Sequence, residues 1–363
     1  MTPLERIIQE VIESEGPIPV SRYVALCLSH PEHGYYITRD PLGTDGDFTT
    51  APEISQLFGE LVGAWLLKAW RDLGWPSPVS LVELGPGRGT LMADIWRVAK
   101  TDRAFAEATA IHLVETSPAL RERQIETLGK LGARSTHHND LLSLPEHAML
   151  FVANEFFDAL PVNQFQKLGD QWSERKIGFN GEGRFTFGLD RAASRLPKPV
   201  VGEVPNGAIL EHSPAQDSMI MELAYQLREH GGAGLIIDYG SLEPGTGDTL
   251  QAIREHQRAN VLDQAGEADL TTHVDFAHLA SIAQAAGMPS IGGATQGDFL
   301  LRLGLLERAG QLGAAKPTDQ QRAISMAVER IAGDAAMGQL FKVLGMASHP
   351  IPMDGLETGL WDR

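Results

Sequence analysis

Cys27 is the only cysteine in 363 residues, so no internal disulfide and no cysteine-based zinc site can form. So sparing a use of thiols fits a reducing compartment. No uninterrupted apolar run reaches the ~20 residues that a membrane-spanning helix needs. The segment Leu4-Glu5-Arg6-Ile7-Ile8-Gln9-Glu10-Val11-Ile12 mixes acids with apolar residues at helical spacing. A signal peptide would have a basic start and an apolar block, and a transit peptide would avoid acids. The expectation is a cytoplasmic protein without membrane insertion. Basic residues are scarce as well, 30 Lys and Arg against 47 Asp and Glu, for a net charge of −17. That balance argues against nucleic acid or anionic lipid as a partner and suits a basic protein or peptide, although it also serves plain solubility.

What is present is an ordinary globular composition, 43% hydrophobic and 21% charged, enough for one large domain or two modest ones. Residues 1–76 read mainly as helix. Ile54, Leu57, Phe58, Leu61, Val62, Trp65, Leu66, Ala69 and Trp70 recur at three and four, one apolar face of a helix. Thr50-x-x-Glu53 with Pro52 is a capping-box pattern that would start that helix at Thr50. From Val79 onward, strands over 79–84, 111–115, 133–137 and 149–153 alternate with helices over 90–99 and 118–131, the rhythm of a parallel sheet covered on both faces. The turn dipeptides Gly169-Asp170 and Asn180-Gly181 then separate short half-apolar runs, which indicates antiparallel hairpins. Residues 191–205 read as loop. A helix over 213–229, a strand over 235–238 and helices over 276–286 and 299–309 resume the α/β rhythm. The expected division is a helical extension over 1–76 and an α/β domain over 77–363 with an inserted antiparallel region at about 162–205.

Leu81-Val82-Glu83-Leu84-Gly85-Pro86-Gly87-Arg88-Gly89-Thr90 carries the most chemistry. An apolar strand ends in an acid, and three glycines let the backbone turn sharply and approach a ligand. A dinucleotide fingerprint spaces its glycines G-x-G-x-x-G to rest a pyrophosphate on a helix start. Here the third glycine comes one residue early. The pattern resembles motif I of S-adenosylmethionine (SAM) methyltransferases, whose cofactor has no phosphate to cradle. In an open parallel sheet, ligands bind outside the carboxyl ends of the strands. The second such end carries Glu115 and Thr116, where a carboxylate can accept from both ribose hydroxyls. The third carries Asp140 and Leu141, where an acid can accept from the adenine amino group. The fourth carries Asn154, Glu155 and Asp158, which would face the transferring methyl. Each residue has a plainer reading as a cap or turn residue. Their arrival in order after successive strands is what favours SAM over a nucleotide-dependent oxidoreductase.

Three further segments, Gly46-Asp47-Phe48-Thr49-Thr50-Ala51-Pro52-Glu53, Asn154-Glu155-Phe156-Phe157-Asp158-Ala159-Leu160-Pro161 and Asp269-Leu270-Thr271-Thr272-His273-Val274-Asp275-Phe276, accompany the glycine loop. With Val114-Glu115-Thr116-Ser117-Pro118 and Asp238-Tyr239-Gly240 they resemble the MidA-like family of class I methyltransferases over nearly the whole chain. The resemblance implies a Rossmann-like, mostly parallel sheet with SAM held by Glu83, Gly85, Gly87, Gly89, Glu115, Thr116, Asp140, Leu141 and Asn154. It implies symmetric dimethylation of an arginine in a peripheral-arm subunit of respiratory NADH dehydrogenase, in support of that complex's assembly. Gly46, Asp47 and Phe48 would form a lid, and His273 and Asp275 would line the substrate side. Gln251 stands where the family leads one to expect a basic residue. Glu155 and Asp158 would be catalytic, because paired carboxylates can grip a guanidinium and aim one nitrogen through charge-assisted bonds. No metal is called for: in His30-Pro31-Glu32-His33 proline breaks the spacing and no third ligand is evident. A non-catalytic assembly chaperone for the same complex is the alternative, and a homodimer is compatible with the sequence.

Overall fold

The computed structural model describes residues 1–38, 50–192, 196–200 and 202–362. The chain forms two compact units. One comprises Thr49–Phe157, Met219–Leu242 and Phe276–Arg363, and the other Met1–Phe48, Asp158–Ser218 and Glu243–Asp275. This differs from a linear boundary at residue 76. Residues from 49 onward join the α/β unit, and the N-terminal helices share a unit with the inserted strands.

The α/β unit is built on β1 (Val79–Leu84), β2 (Thr109–Val114), β3 (Ser135–His138), β4 (Ala148–Asn154), β5 (Gly232–Ser241), β6 (Ser290–Thr295), β7 (Phe341–Ala347) and β8 (Glu357–Thr358). They pair in the order β8-β6-β7-β5-β4-β1-β2-β3. From β3 to β5 all pairings are parallel, whereas β5 with β7, β7 with β6 and β6 with β8 are antiparallel. The strand order reverses between β1 and β4, the switch point where an open sheet leaves a crevice. All six residues of β1 are buried, as expected for a strand covered on both faces.

The helix Gln56–Asp72 buries Leu57, Phe58, Leu61, Val62, Trp65, Leu66, Ala69 and Trp70, as their spacing predicts. It does not begin at Thr50. Thr50 makes no side-chain cap bond, and Ala51–Ile54 is a short separate helix that ends at extended Ser55. The Ser55 hydroxyl then caps the long helix through the Leu57 N–H at 3.2 Å. The capping box fails because Glu53 is engaged elsewhere: its carboxylate accepts the Thr90 hydroxyl at 2.6 Å. The helix expected over 299–309 is also two, Gln296–Arg302 and Leu305–Gly313. Gly304, at φ 89°, turns the chain between them.

In the other unit Thr2 and Glu5 form a complete capping box ahead of the helix Pro3–Glu15. Leu4, Ile8 and Ile12 pack with Val20, Tyr23, Val24, Cys27, Ile177 and Leu270 in one core. Burial pushes the Cys27 thiol up to about 12, so it is a packing group rather than a nucleophile. The strands 163–168, 171–179 and 185–192 form the expected antiparallel hairpins. Ile18–Pro19 adds an edge to this sheet by pairing with Ile177 and Lys176. A second small sheet joins Gln251–Arg254 to Gln257–Ala259 and to Asp269–Thr271.

Candidate active site

The glycine loop follows β1 directly. Gly85, Gly87 and Gly89 have φ of 62°, 52° and 77°, the left-handed region that disfavours a Cβ. Gly85 is doubly constrained, because an added Cβ would lie 2.8 Å from the Phe156 ring. Backbone bonds brace the loop, from the Gly85 N–H to the Val114 carbonyl at 3.0 Å and from the Gly89 N–H to the Pro86 carbonyl at 2.7 Å. Gly89 occupies the N-cap of the helix Thr90–Ala99 and offers it no side-chain acceptor. Glu83 lies inside the unit at 3% exposure. Burial pushes its carboxyl up to about 8, opposed by the Met92 N–H it accepts and reinforced by the charge of Glu115. Its Oε2 has no hydrogen-bond partner.

At the end of β2, Glu115 accepts the Ser117 N–H on Oε1 at 2.8 Å. Its Oε2 receives Gln124 Nε2 at 3.3 Å. Burial raises this carboxyl too, against the bonds it accepts. The local capping bond and a ribose role do not exclude each other, since a carboxylate offers about four acceptor sites. Thr116 beside it is exposed. After β3, exposed Asp140 accepts the Ser143 N–H at 2.9 Å, while Leu141 is buried.

β4 ends at Asn154, whose Oδ1 is buried without a partner and whose Nδ2 donates to Glu155 Oε1 at 3.2 Å. Glu155 has φ 50°, a conformation uncommon for a residue with a side chain and found where function demands it. Its N–H donates to the Ile237 carbonyl at 2.9 Å. Fully buried Asp238 locks the following turn, accepting the Phe157 N–H at 3.0 Å on one oxygen and the Tyr239 N–H at 2.9 Å on the other.

β4, β1, β2 and β3 lie side by side, so their carboxyl ends place Glu83, the glycines, Glu115, Asp140, Asn154 and Glu155 at one end of the sheet. Asp158, His273 and Asp275 belong to the other unit. There the Asp158 carbonyl accepts the Thr272 N–H at 3.1 Å. The His273 N–H donates to Thr249 Oγ1 at 2.9 Å, and Lys198 Nζ donates to Asp275 at 2.5 Å. Gly46, Asp47 and Phe48 lie outside the described residues.

Sequence reasoning passed over Gln124. It is wholly buried, donates to the Gly87 carbonyl at 2.8 Å as well as to Glu115, and meets His137 Nε2 at 2.9 Å on Oε1. One amide thus ties the glycine loop to Glu115. The available signal was a polar residue in the buried stripe Leu120, Gln124, Leu128 of the helix Pro118–Gly129.

This acceptor set fits SAM. Glu115 can accept from a ribose diol, and the unpartnered Glu83 Oε2 and Asn154 Oδ1 on adjacent strands suit an ammonium group. Nothing in the loop requires a pyrophosphate. A family model for S-adenosyl-L-methionine-dependent methyltransferases matches residues 61–293. The chain is 38% identical to the mitochondrial protein arginine methyltransferase NDUFAF7 homolog of Drosophila melanogaster, covering 94% of this chain and 84% of that protein. It is 33% identical to the human mitochondrial protein arginine methyltransferase NDUFAF7, covering 100% and 86%. A crystal structure from Burkholderia thailandensis bound to S-adenosyl-homocysteine superposes with a TM-score of 0.84 at 26% identity, over 98% of this chain and 95% of that one. With this sheet order, glycine loop and acceptor set, the chain belongs to the S-adenosyl-L-methionine-dependent methyltransferase family.

Proposed function

We propose that this enzyme methylates an arginine of a protein substrate, and that the substrate is a peripheral-arm subunit of respiratory NADH dehydrogenase, symmetrically dimethylated to support assembly. The observation that carries the reading is the turn after β4. Asn154 donates to Glu155, Glu155 is held at φ 50°, and buried Asp238 accepts the N–H of Phe157 two positions further on. So much local constraint on one carboxylate suits a group that must be aimed. A guanidinium stays protonated at neutral pH with its lone pairs delocalised. Carboxylates that bind it can localise a lone pair on one nitrogen and orient that nitrogen, turning an encounter into an aimed displacement worth several kcal/mol. Glu155, with Asp158 three positions further along the chain, supplies such groups. SAM, held by the glycine loop with Glu115, Asp140 and Asn154, supplies an electrophilic methyl.

Support for the arginine comes from the relatives, whose names state protein arginine methylation. Those relatives are mitochondrial by name. No helix among the described residues is long and apolar enough to cross a membrane.

The test is complementation of a deletion strain with Glu155→Gln and Asp158→Asn, scored for target methylation and for assembled NADH dehydrogenase. Methyl transfer is expected to fall by at least about tenfold, ~1.4 kcal/mol of transition-state stabilisation, with little change in SAM affinity. Full assembly without methylation would show that holding a partner is the essential activity.

A further inference from the structure

Strand register sets three residues of the α/β unit side by side. Leu84 pairs with Ala153 of β4 on one side and with Val114 of β2 on the other. The residues that come next, Asn154, Gly85 and Glu115, therefore form a row across the carboxyl ends of the parallel strands. Neighbouring strands lie about 4.8 Å apart, which puts the backbones of Asn154 and Glu115 about 10 Å from each other with Gly85 between them. The unpartnered Glu83 Oε2 and Asn154 Oδ1 suit the ammonium group of SAM, and Glu115 suits its ribose. Sulfur joins those two parts of the cofactor. A molecule held at both ends therefore carries its sulfonium past Gly85.

Phe156 is the side chain packed there. A Cβ added to Gly85 would lie 2.8 Å from Phe156 Cδ2 and 3.7 Å from its Cβ and Cε2, so the ring fills the space beside that glycine. The backbone around it is held on both sides. The Glu155 N–H donates to the Ile237 carbonyl at 2.9 Å, and the Phe157 N–H donates to Asp238 at 3.0 Å. Phe157 is wholly buried, whereas Phe156 is only half-buried. The two rings meet at 77° with centroids 5.8 Å apart, so Phe157 braces its neighbour from within the unit. A sulfonium carries a positive charge but no N–H to donate, so hydrogen-bond acceptors serve it poorly. The negative face of an aromatic ring serves it well, as it does a quaternary ammonium.

We propose that Phe156 is a cofactor-binding residue whose ring holds the sulfonium of SAM beside Gly85 through a cation–π contact. Methyl transfer leaves the carbon–sulfur bond pair on sulfur, so the charge there vanishes and the ring's hold on the product weakens. Phe156 thus sets the preference for SAM over S-adenosyl-homocysteine, which lacks that charge and one methyl. This role depends on the cofactor placement above and not on the arginine reading.

Calorimetric titration of the full chain with SAM and with S-adenosyl-homocysteine separates recognition of the charge from packing. In Phe156→Leu, SAM affinity should fall at least about threefold, within the range of a cation–π contact, while S-adenosyl-homocysteine affinity stays within about twofold of wild type. Phe156→Tyr keeps the ring face and should keep the wild-type ratio of the two affinities. Equal losses for both ligands in Phe156→Leu, or no loss for either, would mean that the ring only packs on Gly85 and would overturn the proposal. An unchanged ratio with a raised KM for the protein substrate would overturn it too, by giving the ring to the substrate's cation. If Phe156→Leu fails to fold, a trifluorinated phenylalanine at position 156 decides, because it keeps the shape and removes the negative face. SAM affinity alone should then drop, and an unchanged ratio overturns the proposal. Normal SAM affinity in Glu115→Ala would remove the ribose anchor, and the sulfonium position with it.

Discussion

The two units of this chain differ in how far apart in sequence their neighbouring elements lie. In the α/β unit, β1, β2 and β3 follow one another with their helices and pair as neighbours, so local sequence order and spatial order largely agree. The other unit, which like the α/β unit draws on three separate stretches, joins elements from different stretches: Met1–Phe48, Asp158–Ser218 and Glu243–Asp275. Its core joins Leu4 and Ile8 to Ile177 and Leu270. The glycine loop and the acids at the strand ends lie in the α/β unit, while Asp158, His273 and Asp275 lie in the other. Cofactor binding and substrate recognition should therefore be separable by mutation.

The sharpest test of that separation is Gly87→Val. A β-branched residue is poorly tolerated at φ 52°, and the Gly87 carbonyl is held by Gln124. SAM binding is expected to vanish while circular dichroism stays close to wild type and the melting transition falls by only a few degrees. Normal affinity in a folded variant would remove the glycine loop from the site.

Next in size is the pH dependence of stability in the ligand-free protein. The Glu83 carboxyl is raised from 4.5 to about 8 in the fold. Between those values the unfolded chain ionises while the folded one keeps its proton, so the group's contribution is intact below about 4.5 and is lost as pH rises towards 8. At about 1.4 kcal/mol per pKa unit this amounts to a few kcal/mol. Glu83→Gln should flatten that slope, measured as denaturant midpoints from pH 5 to 8.5; an unchanged slope would assign the proton to another group.

Glu115→Ala should weaken SAM binding by about 1.5–3 kcal/mol, the range for a hydrogen bond to a charged group. Unchanged affinity by calorimetry would leave Glu115 as a cap for Ser117 only. The smallest effect is expected for Gln124→Leu, which fills the space but unties Gly87 from Glu115. SAM affinity should drop by about 1 kcal/mol, one net hydrogen bond. Unchanged affinity would leave the Gln124 tie with no part in cofactor binding.

Much of the α/β unit was legible in the residues. The bounds of β1 and of the helix after it follow from a mostly apolar run interrupted only by Ser80 and Glu83, three glycines and a periodic stretch beginning at Thr90, because strand, turn and helix propensities are local. The same locality misled at Thr50, where the capping pattern is present but Glu53 is taken by Thr90, 37 positions away. Ile18–Pro19 gave no strand signal, since two residues have no periodicity and the pairing depends on Ile177.

By itself the sequence determined the glycine loop, the order of acids at successive strand ends, and the hairpins marked by Gly169-Asp170 and Asn180-Gly181. These depend on backbone sterics and on side-chain period, which act within a few residues. Only the tertiary structure decided that Gln124 couples Gly87 to Glu115, that Asp238 locks the turn after Glu155, and that Tyr36 meets Asp269 from 233 positions away. Such contacts follow from which distant surfaces the packing brings together, and burial then makes each unsatisfied polar group costly enough to fix its partner.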